Sequence, residues 1–196
     1  MNICVFSSSS NAIDEVYFAD ARELGRLIGE RNHTLINGGA NVGLMETVTL
    51  AAKQAGGRTI GVIPEQMIHR SLASDHAHEV IVTDDMQTRK ARMRDDSDAF
   101  IALPGGFGTL EEILEVLTLK QLSYHEKAVV FINTHNFFDE LFAMFEKLYA
   151  RFFAKEQYRK MYYIAVSPLA AINYIENYVP EPMVNKWFQV PGGNQR

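Results

Sequence analysis

The sequence predicts an α/β fold, a doubly wound and mainly parallel sheet of about six or seven strands with helices on both faces. Two observations carry this. Short apolar runs alternate with longer amphipathic stretches from end to end, which is the grammar of strand–helix units. The runs are apolar throughout rather than alternating, as strands covered on both faces require. The length of 196 residues suits one domain, which at that size buries about 70% of the surface its unfolded chain exposes.

The elements follow in order. Strand 3–6 leads to helix 14–31, strand 34–36 to helix 42–55, and strand 59–63 through a loop to strand 79–82. Helix 85–96, strand 99–103 and helix 109–122 come next, then strand 128–132, helix 137–153 and strand 163–166. Each helix has the spacing of an apolar stripe; Leu110, Ile113, Leu114 and Leu117 fall at i, i+3, i+4 and i+7. No repeat or composition shift marks a second unit, so 1–180 reads as one domain. Residues 181–196, with further prolines and a Gly-Gly, read as a surface tail that frays.

Composition excludes several classes. A net charge of −5 argues against nucleic-acid binding through a basic surface. The single Cys4 permits no internal disulfide and no multi-cysteine zinc site, and inside a strand it reads as a small buried side chain. The start shows no basic leader or secretory apolar core, and the longest apolar runs are strand-sized. A soluble, cytoplasmic protein with no membrane partner is expected.

In open parallel sheets ligands bind outside the carboxyl ends of the strands. Three loops there are rich in small residues: Ser7-Ser8-Ser9-Ser10-Asn11, then Asn37-Gly38-Gly39-Ala40-Asn41-Val42-Gly43, then Pro104-Gly105-Gly106-Phe107-Gly108-Thr109. Glycine lets backbone N–H groups wrap an anion, and a helix N-terminus adds partial positive charge. A phosphate-bearing mononucleotide is the expected guest, since neither a P-loop nor a dinucleotide fingerprint is present. On the helix at 85–96, Met86, Arg89, Lys90 and Met93 share one face, placing two cations beside an apolar stripe. Thr109-Leu110-Glu111-Glu112 reads first as a capping box, with Thr109 as N-cap and Glu112 reaching back. His69, His76 and His78 with Asp75 are too irregularly spaced to favour a metal.

Together, Met86-x-x-Arg89-Lys90 and Pro104-Gly105-Gly106-x-Gly108-Thr109-x-x-Glu112 resemble the paired signature of the LONELY GUY family, cytokinin riboside 5'-monophosphate phosphoribohydrolases long labelled lysine decarboxylases. The likeness extends through most of residues 3–155. It implies a Rossmann-like fold and hydrolysis of the N-glycosidic bond of an adenine-type nucleoside 5'-monophosphate, without metal or cofactor. It makes Arg89 and Glu112 the catalytic pair, with Arg89 also able to hold phosphate in a two-point grip. The substrate site it implies comprises Ser8, Gly38, Gly39, Met86, Arg89, Lys90, Gly105, Gly106, Phe107, Gly108, Thr109, Glu111, Glu112 and Thr118. Where many members have Cys-Gly-Ser, this chain has Ser7-Ser8-Ser9; Asn37 opens its Gly-Gly loop, and Glu46 replaces a common glycine. Arg70-Ser71 stands where many have Arg-Glu. These departures surround the nucleotide rather than the catalytic pair, so they bear on base specificity. The alternative is a non-catalytic nucleotide-binding or sensing protein using the same loops. An amino-acid decarboxylase is disfavoured, since no lysine stands in a recognisable pyridoxal phosphate setting. The Phe-rich stretch 137–153 offers more apolar surface than one short sheet covers, and with the resemblance it predicts a homodimer.

Overall fold

The computed structural model describes residues 1–182 and 186–187. Its strands are β1 (Asn2–Phe6), β2 (Thr34–Asn37), β3 (Arg58–Pro64), β4 (Glu79–Thr83), β5 (Ala99–Ala102), β6 (Ala128–Ile132) and β7 (Tyr163–Ala165). They form one sheet, ordered β4-β3-β2-β1-β5-β6-β7, in which every pairing is parallel. The helices are α1 (Glu15–Glu30), α2 (Gly43–Gln54), α3 (Glu65–Ile68), α4 (Met86–Asp95), α5 (Phe107–Gln121), α6 (Asp139–Ala150) and α7 (Pro168–Glu176).

The strands are apolar on both sides because both sides are covered. Ile3, Val5, Leu35 and Ile101 face a core closed by α1, α2 and α7. Cys4, Phe6, Ile36 and Phe100 face a second core closed by α4, α5 and α6. On the first face α1 and α2 touch backbone to backbone, since a Cβ on Gly25 would lie 2.5 Å from the carbonyl of Val48. On the second face Phe138, Phe145 and Tyr149 of the Phe-rich stretch are buried, Leu141, Phe142 and Leu148 pack half-buried against the core, and Phe137, Phe152 and Phe153 remain exposed.

All seven expected strands are present, with ends shifted by a residue or so. Two helices escaped the sequence reading. One is α3, a single turn. The other is α7, whose start carries ordinary signals: Ser167 accepts the N–H of Ala170 and Pro168 sits at the first turn. Its apolar residues span too few turns to register as a period. The expected tail falls mostly on 183–185 and 188–196, outside the described residues. Among the described residues no helix is long and apolar enough to cross a membrane.

The topology positions the site. From β1 the sheet grows outward through β2, β3 and β4, then α4 carries the chain back so that β5 pairs with the other side of β1. The carboxyl ends of β1 and β5 therefore bound a switch-point crevice, where loops diverge and ligands can enter.

Candidate active site

Three loops meet at that crevice. The Ser8 N–H donates to the Pro104 carbonyl (3.2 Å), and the Leu44 N–H donates to the Ser8 carbonyl (2.9 Å). Ser8 thus ties the loop after β5 to the start of α2. The Gly38-Gly39 turn is pinned by Asn37, whose Oδ1 accepts the Gly39 N–H (2.9 Å) while Nδ2 donates to Thr49 Oγ1 (2.9 Å) and the Met45 carbonyl (3.1 Å). Asn37 is itself buried, so this departure from a glycine triplet stiffens the loop.

Helix α4 begins with Asp85 accepting the Thr88 N–H at 2.7 Å, and one turn later it aims Arg89 inward. Arg89 is 6% exposed. Its Nε donates to the Val62 carbonyl (2.9 Å) and its Nη1 to Glu112 Oε1 (2.8 Å). Its Nη2 fills the space a side chain at Gly38 would need. The pair Arg89–Glu112 therefore joins α4 to α5 within a wall of β3 and the Gly38 turn. Burial pushes the Glu112 carboxyl above the ordinary carboxylate range, against the opposing pull of Arg89. Beneath the pair lies Cys4, whose thiol burial pushes up, which suits packing rather than nucleophilic attack.

The capping-box reading of Thr109 and Glu112 is corrected here. Helix α5 starts at Phe107 with Gly106 as N-cap, and no side chain caps it. Thr109 occupies the third helical position, buried, where its side chain fills the space beside Gly105. Glu112 lies past the first turn and serves Arg89. Beside the start of α5, at Gly106 and Gly108, an added Cβ would meet nothing within 4 Å. That is an open helix N-terminus, the arrangement that receives phosphate.

The remaining candidates divide. Lys90 binds Glu111 and Glu115, the latter at 2.9 Å, and Arg94 adds a 3.0 Å bond to Glu115. This ladder locks α4 against α5 on the outer side of the pair. Phe107 is 94% exposed at the lip of the cleft, and Met86 is 44% exposed at the start of α4. Thr118 is elsewhere. Six residues beyond Glu112, it sits about 9 Å further along α5 and on a different face. Its hydroxyl bonds the Leu114 carbonyl, and it lines a groove of about 290 Å³ with Leu117, Leu148 and Tyr162. The two-point phosphate grip expected of Arg89 is not available in this geometry, since two edges of the guanidinium are committed to Val62 and Glu112. The histidines go to separate partners: His78 to Thr59, His76 towards Glu46, His69 towards Glu65. Sequence reasoning missed Val62, which acts through its carbonyl, Met45, which acts through packing, and Ser74, whose hydroxyl bonds Glu46. It also missed Ser7, whose buried hydroxyl has no hydrogen-bond partner among the described residues.

A buried Arg–Glu pair beside a helix N-terminus, at the switch point of an all-parallel sheet, marks a Rossmann-like protein. The family model described as possible lysine decarboxylase matches residues 45–175. The chain is 40% identical over 179 residues to the cytokinin riboside 5'-monophosphate phosphoribohydrolase LOG1 of Arabidopsis thaliana, covering 91% of this chain and 84% of that protein. It is 39% identical over 179 residues to the probable enzyme of the same name, LOGL2, of Oryza sativa subsp. japonica, covering 91% and 73%. Among solved structures, the molybdenum cofactor binding protein of Rippkaea orientalis superposes with a TM-score of 0.70 at 31% identity, covering 89% of this chain and 94% of that one. The molybdenum cofactor carrier protein of Chlamydomonas reinhardtii gives 0.67 at 26% identity, covering 89% and 95%. The chain belongs to the LONELY GUY family, whose members the lysine decarboxylase description also covers.

Proposed function

We propose that this protein is a phosphoribohydrolase that cleaves the N-glycosidic bond of adenine-type nucleoside 5'-monophosphates, giving free base and ribose 5-phosphate. The observation that carries this is the buried Glu112 carboxylate, held by Arg89 one turn behind an open helix N-terminus. The phosphate docks on the first-turn N–H groups of α5, where the helix dipole favours negative charge. The ribose then lies over Glu112. Glycosidic cleavage passes through an oxocarbenium-like state, which a carboxylate stabilises while activating the attacking water. Arg89 acts mainly through Glu112: it fixes the carboxylate's position and keeps it ionised in a site that disfavours charge. Gly38 leaves room for the Arg89 guanidinium and Gly39 lets its turn approach β3 closely, while the Ser8 backbone ties the neighbouring loops together. The reading requires no metal or cofactor and treats residues 1–180 as one catalytic unit.

Incubation with AMP and with isopentenyladenosine monophosphate, followed by assay of free base and ribose 5-phosphate, tests this directly. Release of base from either supports it. Tight nucleotide binding without release would favour a sensor, or a carrier of the kind the molybdenum cofactor relatives are named for.

The ionised form of Glu112 is the active one, so kcat/KM rises with pH as that carboxyl loses its proton. Because burial raises its pKa, the acid limb of the profile is expected above the midpoint of an ordinary glutamate, about 4.3. A limb at or below that value would show that another group controls the reaction.

We further propose that the protein works in the cytoplasm as a homodimer. The groove between α5 and α6, with Leu114, Met144 and Phe153 exposed nearby, is the surface a second copy would cover. Light scattering at micromolar concentration is expected to give twice the mass of one chain; a single-chain mass would reject the dimer.

A further inference from the structure

Between β3 and β4, residues 65–78 fold back over the carboxyl end of β2. The Asn41 N–H donates to the Leu72 carbonyl (2.9 Å), and Asn41 Nδ2 donates to the Ser71 carbonyl (3.0 Å). The Ser74 N–H donates to the Gly39 carbonyl (2.8 Å), and Ala40 and Ala73 form an antiparallel bridge. Below this strap Ser74 is 3% exposed. Its hydroxyl accepts the His76 N–H (3.1 Å) and donates to Glu46 Oε2 at 2.6 Å. Glu46 belongs to the first turn of α2, where the helix dipole favours a carboxylate; its other oxygen faces His76 at 3.7 Å. The preceding residue, Met45, lies with its sulfur against the Gly38 position that also abuts Arg89. One turn of α2 therefore touches the wall of the reaction centre and holds the strap.

The sheet order says what lies beneath the strap. β5, β1 and β2 are consecutive, so the ends of β5 and β2 are separated by two interstrand spacings, about 10 Å. A nucleotide held by its phosphate at the α5 N-terminus and cleaved at Glu112 points its base away from β5, over Gly38 and towards 71–76. We propose that Glu46 is a positioning residue for the base: through Ser74 it clamps the 65–78 segment over the Gly38-Gly39 turn, and so limits the size of the substituent that the base end admits. The inference rests on the phosphoribohydrolase reading. The clamp thereby sets how readily a purine with an alkyl group on its exocyclic nitrogen is admitted relative to a compact one; with it broken, the wall gives and the bulkier base gains.

The test compares AMP with isopentenyladenosine monophosphate for the wild type, Glu46→Ala, Glu46→Gln, Ser74→Ala and the Glu46→Ala/Ser74→Ala double variant. Loss of a hydrogen bond to a charged acceptor predicts that Glu46→Ala lowers the ratio of kcat/KM for AMP to that for isopentenyladenosine monophosphate by about tenfold. The change should fall in KM for the bulky substrate, with kcat for AMP moved by less than about threefold. Ser74→Ala should match it, and the double variant should add nothing, as for two ends of one bond. Glu46→Gln still accepts from Ser74 and should keep the wild-type ratio. An unchanged ratio in Glu46→Ala or in Ser74→Ala overturns the clamp, as does an additive double variant. If the wild type releases no base, the phosphoribohydrolase reading falls instead. The ratio of dissociation constants for the same two nucleotides then decides the clamp: movement in Glu46→Ala upholds it, constancy or absence of binding overturns it.

Discussion

Glu112→Gln is expected to lower base release by about 100-fold or more while the melting temperature stays nearly unchanged. The amide keeps the shape of the side chain and an oxygen for the Arg89 bond of 2.8 Å. It removes the negative charge that would face an oxocarbenium-like centre. The stability half of the expectation follows from the raised carboxyl pKa. A group whose pKa is higher folded than unfolded favours the fold while protonated, and that contribution is lost as pH rises through the raised value. At neutral pH the site thus holds its carboxylate ionised at a cost; the neutral amide relieves that cost but leaves the buried Arg89 without its counter-charge, so the two effects oppose one another. Base-release rates and thermal unfolding on the same preparations check both halves. Near wild-type cleavage by a normally folded Glu112→Gln protein would end the assignment of Glu112 to chemistry.

Arg89→Ala should differ in kind. Removing one partner of a buried ion pair leaves the other charge desolvated and alone, which typically costs about 3–5 kcal/mol. Here the loss would also strip the Val62 carbonyl of its donor. Base release should fall about as far as in Glu112→Gln, and the denaturation midpoint should drop markedly. Without the opposing pull of Arg89 the Glu112 carboxyl would rise further, moving the acid limb of any residual activity to higher pH. Denaturant unfolding and a pH–rate profile read these two effects. An Arg89→Ala protein as stable as the wild type but inactive would place the guanidinium on the substrate rather than on Glu112.

These two residues mark how far the sequence could be read. Met86, Arg89, Lys90 and Met93 at helical spacing put a cation beside an apolar stripe, but spacing could not say which cation turns inward. The position of β3 decides that, since Arg89 finds the Val62 carbonyl while Lys90 finds Glu111 and Glu115 on the outside of α5. The Thr109-x-x-Glu112 pattern misled for a related reason. Thr-x-x-Glu satisfies a capping box only when the threonine precedes the helix, and the same letters fit equally inside one. The Pro104-Gly105-Gly106 turn lets α5 begin two residues earlier than expected, which frees Glu112 for a partner on another helix. Thr118 follows the motif in sequence, and within this chain helical rotation turns it to the α6 groove rather than to Glu112.

The sequence alone determined the architecture, because apolar runs without alternation have one economical solution, a parallel sheet covered on both faces. It also determined the chemical character of the three loops, because glycine and serine act there through backbone that any fold at those strand ends would expose. The motif resemblance named Arg89 and Glu112 together, but only the tertiary structure decided how these residues meet and what surrounds them. The meeting of Arg89 with Glu112, the wall made by Gly38 and Val62, and the clamp from Glu46 to Ser74 are all contacts across long sequence separations. Such contacts are set by the return of α4 across the sheet and by the order of the strands, and no local pattern encodes either of these.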